Sequence, residues 1–171
     1  PTIRVTDQGS GQHPSFFAKT LLSLNESNKR GAKHLAGDFG QGGSATLSFS
    51  GSTIYVSRLH PELLGAEMAD RVGFTVAFKQ EVDHNEKMYP AYVWLVDENE
   101  EPLTLPADAF PELEHGTRIT HVSYELTKSM AAAFTTQMWQ FLNRAMFDPV
   151  LPFLLEGDRS ETERKAKDRV I

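Results

Sequence analysis

The chain has 171 residues, 40% of them apolar and 23% charged, a length and balance that suit one soluble domain with a sizeable core. A formal net charge of −6 argues against a nucleic-acid surface, which shows as a basic excess. Cysteine is absent, which removes disulfides and thiolate metal sites and fits a cytoplasmic protein, and no apolar run approaches the ~20 residues of a membrane helix.

In chain order, Thr2 to Thr6 alternates Ile3 and Val5 with polar residues and predicts a short strand. Pro14 is suited to a first helical turn, and Phe16, Phe17, Leu21, Leu22 and Leu24 would give the following helix one apolar face. The polar stretch from Asn25 to Gly37 has almost no apolar anchor apart from Leu35. Thr53 to Val56 and Val72 to Val82 predict strands; Glu86 to Pro90 predicts a turn, and Ala91 to Val96 a second apolar strand. Asp97 to Glu101 is an acidic turn, and Thr117 to Leu126 alternates as a strand. Ser129 to Phe147 predicts a helix, with Met130, Phe134, Met138, Phe141, Leu142 and Ala145 at helical spacing on a core stripe. Asp148-Pro149 stops it, Leu151 to Leu155 is a strand or an apolar connector, Glu161 to Asp168 is charged, and Asp168 to Ile171 opens a strand.

Two glycine motifs stand out. The first is Asp7-Gln8-Gly9-Ser10-Gly11, directly after the first strand. The second is Gly37-Asp38-Phe39-Gly40-Gln41-Gly42-Gly43-Ser44. Glycine reaches φ > 0 and lets another group approach the backbone, and such a cluster ahead of a helix start forms phosphate sites. A carboxylate planted among glycines, Asp7, can accept a hydrogen bond from an amino group. One motif for a base and one for phosphates point to a nucleotide. A phosphate-loop reading of the second motif lacks its lysine, since Gly43 stands there. A dinucleotide fingerprint would need a strand before Gly40 and a parallel sheet. The triplet Asp38-Phe39-Gly40 lacks the other kinase signatures. The six histidines show no metal-ligand spacing.

These residues resemble the GHKL ATPases, the superfamily of gyrase, the ninety-kilodalton heat-shock chaperone and histidine kinases. Asp7-x-Gly9-x-Gly11 resembles the first glycine box. Gly37 to Ser44 resembles the second in its chaperone-like form, and Gly116-Thr117 resembles the Gly-Thr pair that opens a later strand. The likeness covers roughly residues 2 to 125. It implies an α+β fold of Bergerat type, a two-layer sandwich of a mixed, mostly antiparallel sheet with helices on one face. It places a short helix at 44–50, against the strand leaning of Ser, Thr and Phe there. The domain would span 1–147, with 148–171 a connector and the start of a following segment.

The resemblance also implies a site. Asp7 would hold the adenine amino group, Gly9 and Gly11 would lie against base and sugar, and Thr117 would support the same polar cluster. Lys29 falls in the lid. Gly37, Phe39, Gly40, Gln41, Gly42, Gly43 and Ser44 would cradle the phosphates of ATP. In the family, a helix ahead of the first box supplies a Glu that activates water and an Asn that holds magnesium. The chain opens at Pro1, one residue before the first strand, so those groups are expected outside it and no catalytic residue is assigned within it. The expected partners are ATP, the remainder of a longer chain and a possible homodimer, with neither nucleic acid nor membrane. The rival expectation is a non-catalytic interaction module that keeps the fold without nucleotide chemistry.

Overall fold

The computed structural model describes residues 1–22, 46–145, 154–156 and 169–170. The chain forms two compact units, Pro1–Glu125 and Leu126–Ile171. The first is an antiparallel sheet with few helical segments, an α+β arrangement. Its strands are β1 (Ile3–Asp7), β2 (Ser52–Arg58), β3 (Arg71–His84), β4 (Lys87–Trp94), β5 (Leu103–Pro106) and β6 (Gly116–Val122). Their spatial order is β1-β6-β2-β3-β4, with β5 also on β3, and every described pairing is antiparallel. The second unit holds an α-helix, α1 (Lys128–Ala145), and a two-stranded ladder of β7 (Leu154–Leu155) with β8 (Arg169–Val170). On α1, Phe134 and Met138 are half-buried, but Phe141 is 65% exposed and lies off the core stripe its spacing suggested.

Register partners share a face, because side chains alternate along a strand. One face therefore carries Ile3, Val5 and Asp7 of β1, Thr117, Ile119 and His121 of β6, Thr53, Tyr55 and Ser57 of β2, and Gly73, Thr75 and Ala77 of β3. Most of its residues on the three inner strands are buried. Leu47 packs there with Tyr55 and Ala77, joined by Leu21, Leu22 and Ile119. Burial pushes the Tyr55 hydroxyl up to about 12, as expected when the charged form is desolvated. Phe17 is wholly buried and, with Pro14, sits over Gly73.

The segment after the first glycine motif is a six-residue 3-10 helix, Pro14–Lys19, with His13 as its cap. Its three-residue repeat turns Pro14 and Phe17 the same way, and Phe16 is left 44% exposed. Of the helix expected at 44–50, the described part is a single 3-10 turn, Leu47–Phe49. The turn expected at 86–90 is tighter: Asn85 and Glu86 alone reverse the chain, and β4 starts at Lys87 and runs through Pro90. Proline lacks a donor, and it is tolerated here because β4 is an edge strand. β6 ends where Ser123 takes a φ of 54°.

Candidate functional site

The first glycine motif follows β1, and the Gly-Thr pair begins β6. The β1–β6 ladder sets Asp7 directly opposite Thr117, 110 positions later. The two side chains share the face described above. Asp7 is exposed and Thr117 is 9% exposed.

The loop between β1 and the 3-10 helix is fastened at each step. Asp7 Oδ1 accepts from the Gly9 amide at 2.9 Å, a local turn in which the carboxylate mimics a backbone carbonyl. The Gly9 carbonyl accepts from His115 Nδ1 at 2.9 Å, and the Ser10 carbonyl from the His60 amide at 2.7 Å. The two histidine rings lie 4.4 Å apart between centroids. The Gln12 amide donates to Ser57 Oγ at 2.9 Å.

Gly11 has a φ of +61° and Gly116 of +102°. A Cβ on Gly11 would stand 1.8 Å from the Arg58 carbonyl oxygen, and one on Gly116 would stand 2.2 Å from that of Asp7. Both positions are set by backbone lying on backbone. Gly9 differs: the nearest atom to an added Cβ would be Asp7 Oδ1 at 3.0 Å.

Ser57, which no sequence motif marks, is the polar hub. It is fully buried, donates to the Gly116 carbonyl at 2.9 Å and lies 3.0 Å from Thr117 Oγ1. Next to it, Arg58 grips Asp70 through Nε at 3.0 Å and Nη2 at 2.7 Å. That bidentate bond holds the Asp70 carboxyl below its ordinary range and raises the guanidinium further. It fixes the end of β2 beneath the loop.

Of the expected site residues, Asp7, Gly9, Gly11 and Thr117 are thus brought together. Lys29, Gly37, Phe39, Gly40, Gln41, Gly42, Gly43 and Ser44 lie outside the described residues. No cluster of three or more His, Asp or Glu suited to a metal occurs among the described residues. No helix among the described residues is long and apolar enough to cross a membrane. No family model and no curated protein matches the sequence.

Proposed function

We propose that the chain is the nucleotide-binding domain of a GHKL-type ATPase, in which ATP binding closes a lid formed by residues 25–36 and switches conformation. The two-layer Bergerat arrangement, with helices on the Asp7 face of the sheet, belongs to the same proposal. The carrying observation is the pairing of Asp7 with Thr117, which unites two motifs far apart in sequence at one end of the sheet. Asp7 Oδ1 holds its own turn, and Oδ2 has no partner among the described residues. A carboxylate oxygen so placed can accept from the amino group of adenine, beside the Thr117 oxygen. The phosphates fall to the amides of Gly40 to Ser44. Magnesium, when bound, would neutralise those phosphates.

Calorimetry with ATP tests the reading. A charge-assisted hydrogen bond contributes about 1.5–3 kcal/mol, so Asp7→Asn is expected to weaken ATP about tenfold or more. Unchanged affinity in a folded variant sinks the assignment.

A second reading, an interaction module without nucleotide chemistry, is favoured by one observation. Backbone packing alone accounts for Gly11 and Gly116, and a local turn engages Asp7. If the unaltered chain takes up no ATP in the same titration, this reading replaces the first.

A further inference from the structure

We propose that Ser57 is a positioning residue that fixes the direction of the Thr117 hydroxyl and so makes the Asp7–Thr117 edge an acceptor-only surface. The proposal rests on the nucleotide reading for its ligand; the hydroxyl geometry stands apart from it.

A serine hydroxyl has one proton and two lone pairs. The Gly116 carbonyl can only accept, so the bond at 2.9 Å engages the Ser57 proton. The Gln12 amide can only donate, so its bond at 2.9 Å takes one lone pair. What remains for Thr117 Oγ1, at 3.0 Å, is the second lone pair. Thr117 must therefore be the donor in that contact. Its single proton points at Ser57, and its oxygen is left with lone pairs alone. Across the ladder, Asp7 is a carboxylate, which only accepts. Oδ1 takes the Gly9 amide, and Oδ2, without a hydrogen-bond partner among the described residues, completes a pair of acceptors. A ligand edge seated here has to bring donors. An exocyclic amino group satisfies that edge, while a keto oxygen in its place sets acceptor against acceptor. Ser57 thereby acts on base selectivity without touching the base.

Removing Ser57 separates positioning from mere support. In Ser57→Ala the Thr117 hydroxyl is free to rotate and donate, so a keto base becomes acceptable. The readout is a ratio, because a loss of stability lowers the affinity for both ligands alike. ATP and inosine triphosphate, which differ at the base edge in amino against keto at C6 and in a bare against a protonated N1, are titrated into the full chain and into the folded variant. The unaltered chain is expected to prefer ATP about tenfold or more, and Ser57→Ala to narrow that preference about three- to tenfold. A preference unchanged in the variant overturns the positioning role while leaving the nucleotide reading intact. Absence of binding by either nucleotide to the unaltered chain overturns the nucleotide reading and the selectivity built on it. NMR of the unaltered chain reads the hydroxyls directly, whether or not Ser57→Ala folds. A slowly exchanging Thr117 hydroxyl proton with a contact to the Ser57 methylene supports the assignment, and a Thr117 proton directed elsewhere refutes it.

Discussion

At the scale of single residues, the glycines of the first motif divide by their task. Gly11 and Gly116 hold left-handed or related backbone and have no room for a methyl group. The atoms in the way are carbonyl oxygens of Arg58 and Asp7, which belong to ladders and cannot retreat. Gly11→Ala is expected to destabilise the fold by roughly 2–4 kcal/mol, the range of severe backbone and packing errors. Gly9→Ala meets only a side-chain oxygen and should stay within about 1 kcal/mol. Urea unfolding measures both. Equal losses would show that the loop tolerates neither and that packing explains all three glycines. If Gly9→Ala unfolds normally yet binds ATP poorly, Gly9 serves the ligand and Gly11 the fold. Sequence alone groups Gly9 and Gly11, because it shows the residue type and not the neighbour at the Cβ position.

At the scale of elements, the β3–β4 hairpin outruns its sheet. β2 pairs with β3 only as far as Ser52 opposite Phe78, whereas β4 follows β3 to His84 opposite Lys87. Residues 79–84 and 87–92 thus form a two-stranded ribbon, and such ribbons are marginal in water. Met88, Tyr89 and Tyr92 on it are exposed. The reversal uses positive φ at both Asn85 (54°) and Glu86 (61°), the pattern of a two-residue turn that matches strand twist and prefers Asn-Gly. Glutamate in that conformation is strained by about 1–2 kcal/mol. Glu86→Gly is therefore expected to stabilise the ribbon by about 1 kcal/mol, seen as slower amide exchange over 79–92 and a melting temperature raised by about 2–4 °C. No gain in either would mean that another contact sets this turn. The strands at Ile3–Asp7, Arg71–His84 and Gly116–Val122 were legible because their apolar residues alternate, and Ser52–Arg58 because Thr53 to Val56 is rich in β-branched and aromatic residues. Other elements were not. Pro90 disguised the start of β4, since a proline looks like a turn until the edge position is known. β5, Leu103-Thr104-Leu105-Pro106, is four residues long and too short to show a period. The helix expected after Pro14 had the right apolar residues but the wrong repeat, because the contact over Gly73 decides it. In the site, the pairing of Asp7 with Thr117 was foreshadowed only by the family resemblance, and Ser57 by nothing at all. A hub made of one hydroxyl depends on three partners distant in sequence, and no local pattern encodes them.

At the scale of the whole molecule, the covered face of the sheet is built as much from hydroxyls as from hydrocarbon. Thr53, Ser57, Thr75, Thr117 and His121 are all buried on it, and each is bonded. Thr75 Oγ1 donates to the Leu95 carbonyl at 2.6 Å. Ser50 Oγ lies 2.9 Å from Thr53 Oγ1, which in turn lies 2.9 Å from His121 Nδ1. This polar lining couples global stability to pH through His121, a residue 6% exposed. Burial lowers its pKa below the ordinary 6.5, since the interior disfavours the imidazolium. The unfolded chain then binds a proton as the pH falls past 6.5, and the folded chain still does not. Stability is therefore full above pH 6.5 and declines as the pH drops from there towards the lower folded pKa, with a slope of at most about 1.4 kcal/mol per pH unit for one proton. The lowered carboxyls of Asp70 and Asp97 act elsewhere. Their stabilisation holds above about 3.8 and is lost only in stronger acid, so the two limbs separate. Urea unfolding at pH 7, 6 and 5 is expected to show a fall for the unaltered chain and a flatter profile for His121→Gln, whose side chain does not titrate and can still reach Thr53. Parallel profiles would assign the fall to other groups and overturn the role of His121.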